Sequence, residues 1–163
     1  MGPTGRAIRK WLQWRWDRPP GADNGTDRVR RENRGVDLRV FLVEDLQRMC
    51  GLLGELFDSM GGFTVVANAC TEAEANLWLD EHPGGWDVAV VDLVLEQGAG
   101  MNVIRRCKGD PAGGRIVVFS SYATPGVRQH CLDLGADAVF DKSETGGFIQ
   151  WIHDLEDREN SGP

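Results

Sequence analysis

The chain has 163 residues, 41% hydrophobic and 26% charged, enough for one domain with a packed core and too few for two. No apolar run reaches the roughly 18 residues that span a bilayer and no segment resembles a secretory leader, so the chain reads as cytoplasmic, without a transmembrane segment. The net charge of −7 conceals a split: residues 1–37 hold 9 Lys/Arg against 5 Asp/Glu, and residues 38–163 hold 9 against 20.

Residues 1–37 are rich in Arg, Gly and Pro, carry Trp11, Trp14 and Trp16, and show no apolar period after Pro19-Pro20. They read as a basic, disordered N-terminal extension, within which residues 6–16 fit a short amphipathic helix suited to an anionic surface. The acidic body argues against duplex DNA as its partner, because neutralising phosphates needs Lys and Arg.

From Leu38 onward, short β-branched runs alternate with segments of helical period. Residues 38–43 read as a buried strand, and residues 47–59 as a helix with Met49, Leu52, Leu53, Leu56 and Met60 on one face, ended by Gly61-Gly62. Residues 63–69 form the second strand. Thr71 with Glu74 makes a capping box for a helix that runs to Glu81, before Pro83-Gly84-Gly85. A third apolar strand spans 88–92, a helix 101–107, and a fourth strand 115–119. Thr124-Pro125 opens a helix to Leu134, which Gly135 stops. Residues 138–141 are a short fifth strand, and residues 144–157 the last helix, with Phe148, Trp151, Ile152 and Leu155 inward. Five such units, with strands apolar on both faces, predict an α/β fold: a doubly wound parallel sheet with helices on both sides.

In sheets of this kind ligands gather beyond the carboxyl ends of the strands, where this chain has Glu44-Asp45, Asp92, Ser120-Ser121 and Asp141-Lys142. Three carboxylates at one mouth repel one another unless a cation neutralises them, and an all-oxygen set suits Mg²⁺. With a lysine and a hydroxyl on the same rim, the pattern describes phosphoryl transfer in which a carboxylate is itself the nucleophile. Other chemistries lack their residues. Cys50, Cys70, Cys107 and Cys131 make no zinc spacing and read as buried, reduced thiols. His82, His130 and His153 have no ligand partner at metal spacing, and Gly98 and Gly100 belong to no phosphate-loop motif. Arg105, Arg106 and Lys108 read as a solvated helix face, and Trp78, Trp86 and Trp151 as packing residues.

The segments Val40-Phe41-Leu42-Val43-Glu44-Asp45, Val90-Val91-Asp92-Leu93-Val94-Leu95-Glu96-Gln97-Gly98-Ala99-Gly100, Val117-Val118-Phe119-Ser120-Ser121-Tyr122-Ala123 and Gly135-Ala136-Asp137-Ala138-Val139-Phe140-Asp141-Lys142-Ser143 together resemble the receiver domains of two-component response regulators. The resemblance implies a flavodoxin-like sheet of order 2-1-3-4-5 and a receiver domain over residues 38–157, followed by a polar tail at 158–163. It implies that Asp92 is the phosphoacceptor and takes its phosphoryl group from a histidine kinase or histidine phosphotransfer protein. Mg²⁺ would be held by Asp45, Asp92 and the Val94 backbone carbonyl, with Glu44 acting through water. Lys142 would pair with a phosphoryl oxygen, and Ser120 would hydrogen-bond the attached group. The implied protein is a signalling receiver and not an enzyme acting on external substrates; Val94 stands where an aspartate-based phosphatase carries its acid.

Departures from the family pattern carry their own expectations. Receivers usually have Tyr or Phe three residues before the lysine, a ring that moves inward on phosphorylation, whereas this chain has Val139 there and Phe140 next. That departure supports a second reading, a pseudo-receiver that serves as a non-switching interaction module. Ser143 and Glu96 stand where proline is frequent, and neither change removes a reacting group. Val94 and Tyr122, two places beyond the acceptor and the hydroxyl, are bulky enough to slow the in-line approach of water. With six polar residues after the last helix, the chain reads as a stand-alone receiver without a DNA-binding domain, acting through contact with a downstream protein target.

Overall fold

The computed structural model describes residues 36–161; residues 1–35 of the basic extension and the final two residues lie outside the described residues, and so do the readings made on them. Five strands, β1 (Leu38–Val43), β2 (Phe63–Ala69), β3 (Val88–Val91), β4 (Arg115–Ser120) and β5 (Ala138–Asp141), alternate with five helices, α1 (Gln47–Met60), α2 (Glu72–Glu81), α3 (Gly100–Lys108), α4 (Pro125–Leu134) and α5 (Thr145–Asn160). The strands pair in parallel in the order β2-β1-β3-β4-β5. This is the flavodoxin-like topology that the motifs imply, and its crossovers put helices on both faces.

Alternation along each strand divides the core in two. Phe41, Val43, Ala89, Val91, Ile116 and Val118 pack toward α2, α3 and α4 with Leu79, Val103 and Ile104. Val40, Leu42, Val88, Val90, Val117 and Phe119 pack toward α1 and α5 with Leu53, Phe57, Phe148 and Ile152. Because successive side chains of a strand face opposite ways, an apolar run with no polar gap is what a sheet covered on both sides requires. The buried strands thereby hold their carboxyl ends in register: Val43 lies opposite Val91, and Val91 opposite Val118.

Thr71 and Thr124 cap α2 and α4 by accepting the N–H groups of Glu74 and Val127. Two expectations change. Leu52 is 51% exposed, whereas Met49, Leu53, Leu56 and Met60 face the core as expected and Phe57 joins them, because Leu52 falls at the edge of the stripe that those positions define. The last helix continues past Asp157 to Asn160, where the Asn160 Oδ1 accepts the N–H of Val36 at 3.2 Å and ties the helix end to the chain entering β1. Trp86 is buried, and Trp78 lies half-buried between Phe41 and His82, stacked on both.

The two leucines of α1 provide a direct check on this packing. Leu53→Ala is expected to cost about 2–5 kcal/mol and Leu52→Ala less than about 0.5 kcal/mol, measured by urea unfolding followed by circular dichroism. Equal costs would show that α1 sits rotated from the orientation described.

Candidate functional site

The site lies where β1, β3, β4 and β5 end. Glu44 and Asp45 follow β1, Asp92 follows β3, Ser120 is the last residue of β4, and Lys142 follows β5. Parallel pairing with matched register brings these residues to one rim although the chain separates them widely. The Lys142 Nζ lies 2.9 Å from Asp92 Oδ2 and 3.0 Å from Glu44 Oε2. Both carboxylates are nearly withdrawn from water, Glu44 at 3% and Asp92 at 6% exposure, and Lys142 is partly buried.

Glu44, Asp45 and Asp92 offer carboxylate oxygens that all lie within 4.8 Å of one another. Burial first, and the neighbouring Asp92 charge second, push the Glu44 carboxyl up to about 7, against the pull of the Leu46 N–H and of Lys142. Desolvation works against the Lys142 ammonium, but hydrogen bonds to Asp92 and Glu44 and the charges of both outweigh it and hold the lysine above its ordinary value. The Glu44 side chain is fully engaged: Oε1 accepts the Leu46 N–H at 3.1 Å, and Oε2 faces Lys142. Asp45 is only half-buried and opens toward solvent.

The flanking loops are held closely. Gly100 packs so tightly behind the acceptor that a Cβ there would lie 2.0 Å from the Asp92 carbonyl oxygen. Asp92 Oδ1 accepts the Val94 N–H at 3.4 Å. Ser120 is fully buried, its Oγ accepts the Tyr122 N–H at 3.3 Å, and its carbonyl accepts the Lys142 N–H at 3.2 Å. Beneath the loop after β1, the Cys50 thiol reaches the Glu44 carbonyl at 3.4 Å and receives the Asn68 amide at 2.8 Å. All four cysteines are free, and burial pushes the Cys50 thiol up to about 11 and those of Cys70 and Cys107 to about 12.

Glu44, Asp45, Asp92, Ser120 and Lys142 fall on this rim, with Val94 and Tyr122 exposed at its edge, at 49% and 60%. Val139 lies on the α2–α3–α4 side of β5. Phe140 faces the opposite side, edge-on to Phe148 at 6.2 Å, so its ring does not stand in for the missing one at 139. Arg128 of α4 carries no motif signal in the sequence, yet its guanidinium donates to the carbonyls of Ala123 at 2.9 Å and Val139 at 3.0 Å and pairs with Glu144. It thus joins the loop after β4 to β5 and to the turn that follows it. Among the described residues, one other group of potential ligands, His153, Asp154 and Asp157, lies on the exposed face of α5.

The response regulator receiver domain family matches residues 40–149. The chain belongs to this family. Its relatives include the gliding motility regulatory protein of Myxococcus xanthus, 32% identical over 111 residues, which are 67% of this chain and 14% of that one. The uncharacterized transcriptional regulatory protein YvfU of Bacillus subtilis is 27% identical over 100 residues, 61% of this chain and 48% of that one. The receiver chain spans under half the length of the curated relatives it matches. Among solved structures, the CheX–CheY–BeF3–Mg²⁺ complex of Borrelia burgdorferi shares the fold at TM-score 0.68 and 19% identity, covering 76% of this chain and 92% of that one. Among the described residues, no helix of the receiver is long and apolar enough to cross a membrane.

The charge cluster makes substitutions of opposite sign at its two ends. In EDTA at pH 7.5, Lys142→Met, which leaves buried carboxylates uncompensated, is expected to destabilise the fold by about 3 kcal/mol. Asp92→Asn, which removes one of the repelling charges, is expected to raise Tm in the same buffer. Thermal and urea unfolding of the two variants checks both signs.

Proposed function

We propose that this receiver accepts a phosphoryl group on Asp92 from the phosphohistidine of a partner kinase or phosphotransfer protein. The observation that carries this reading is one ammonium, Lys142, held at 2.9–3.0 Å from both Asp92 and Glu44 beside a third carboxylate, at the buried mouth of the sheet. A lysine has three N–H donors, and these two contacts leave one for a further anionic oxygen.

The donor set fits Mg²⁺, being composed of oxygens, rich in charge and open to solvent at Asp45. Asp45, Asp92 and the Val94 carbonyl would hold the ion, and Glu44, its two oxygens already engaged, would act through water. When bound, Mg²⁺ supplies neutralisation of the charge carried by the oxygens of the transferring group.

The residues of the chain do the rest. An Asp92 carboxylate oxygen attacks phosphorus; the new O–P bond forms as the N–P bond to the donor imidazole breaks, and the imidazole keeps the electron pair and takes a proton from solvent. The Lys142 ammonium pairs with an oxygen of the transferred group, and the buried Ser120 hydroxyl donates to another. Burial of Asp92 keeps competing water away, and Val94 and Tyr122 at the rim restrict the in-line path for hydrolysis. The acquired charge alters the contacts of Ser120 and Lys142 with their loops and so the face formed by α4, β5 and α5, which a downstream protein target reads.

Incubation of the full chain with acetyl phosphate and Mg²⁺ is expected to add the mass of one phosphoryl group at Asp92, and none in Asp92→Asn or in EDTA. An unmodified wild-type chain would favour the non-switching interaction module, the reading that the aliphatic Val139 supports. In the phosphorylated protein, Tyr122→Ala and Val94→Ala are each expected to shorten the phosphoryl lifetime, followed by loss of that mass with time. An unchanged lifetime in both would remove the shielding role from the rim.

A further inference from the structure

We infer that Glu72, the first residue of α2, is a positioning residue for this site: it clamps the loop after β3 and so fixes the place of the Val94 carbonyl. The inference rests on the reading that this carbonyl is a ligand of the cation. A backbone carbonyl has no rotamer of its own to adjust, so its position is that of its loop. The loop from Asp92 to Gly100 is short and closed upon itself, with the Gly100 N–H donating to the Leu93 carbonyl at 3.1 Å and an antiparallel bridge between Val94 and Ala99. Whatever holds Ala99 therefore holds Val94.

Glu72 holds Ala99 from outside. Its Oε2 accepts the Ala99 N–H at 3.0 Å and the Asn102 side-chain amide at 3.3 Å, and its own backbone N–H donates to the Gln97 carbonyl at 3.1 Å. The loop is moulded to this side chain. Gly98 has φ +83°, and a Cβ there would stand 2.4 Å from the Glu72 Cβ, so only glycine lets the loop lie this close. The neighbouring acid has a different task. Thr71 caps the helix by accepting the Glu74 N–H, and Glu74 Oε2 accepts the Cys70 N–H at 2.9 Å. Helix closure is thus served by Thr71 and Glu74, while the Glu72 carboxylate is spent on a loop 27 residues away. Groups that orient metal ligands from outside change metal affinity strongly when removed.

The test is a calorimetric Mg²⁺ titration of the full chain, paired with amide hydrogen exchange at Val94 and Ala99. Glu72→Ala is expected to weaken Mg²⁺ about tenfold and to speed exchange at both amides. Glu72→Gln, which keeps the acceptor oxygen, is expected to stay close to wild type, and Glu74→Ala to leave Mg²⁺ affinity unchanged. Gly98→Ala, which pushes against Glu72 from the loop side, is expected to weaken Mg²⁺ as well and serves if Glu72→Ala folds poorly. Wild-type affinity in Glu72→Ala, equal weakening in Glu74→Ala, or a Gln variant as weak as the Ala variant would overturn the clamp, the last by assigning the effect to charge. A wild-type chain that takes no Mg²⁺ would instead overturn the reading of the site.

Discussion

Three strand ends meet at the Lys142 ammonium, which lies within 3.0 Å of carboxylates that follow β1 and β3 while its own residue follows β5. Two buried carboxylates beside a third would force one another to take up protons if no cation stood among them. The lysine supplies one positive charge and the site's excess of negative charge remains, a balance that suits a divalent cation. The fold keeps this arrangement from relaxing. Glu44, Asp45 and Asp92 follow strands buried on both faces, β1 and β3, and Lys142 follows the half-buried edge strand β5, so the carboxylates cannot separate without opening the centre of the sheet.

Stability and reactivity are opposed in this design. A rim of buried like charges weakens the folded state, and the two apolar layers on either side of the sheet supply the excess that makes it tolerable. The same burial that raises the Glu44 carboxyl strengthens every remaining interaction at the mouth. On the proposed function, a group placed on Asp92 would enter surroundings where one added charge acts directly on Lys142, Ser120 and their loops. Arg128 ties the loop after β4 to β5 and to Glu144 beyond it, a connection that involves no aromatic side chain at position 139.

Much of the site was legible because strand ends are legible. Runs such as Val88–Val91 admit few alternatives to a buried strand, and a parallel sheet places whatever follows them at a common edge. Glu44, Asp45, Asp92, Ser120 and Lys142 were accessible to that reasoning one residue at a time. The face of α1 was less so, since Leu52 and Leu53 fit a hydrophobic stripe about equally well and only the packing partner chooses between them. The end of α5 makes a contact with Val36, just before β1, which helical periodicity does not record.

By itself, the amino-acid order determined the alternation of strands and helices and the identity of the chemistry-bearing residues, since both depend on local periodicity and on position relative to strand ends. Only the tertiary structure decided which of those residues touch, and how. The pairing of Lys142 with Asp92 across 50 positions, the hold of Glu72 on Ala99, and the placement of Phe140 on the face opposite Val139 depend on strand register and helix rotation. Register and rotation are set by the joint packing of two core layers, and no single segment contains the partner that fixes them.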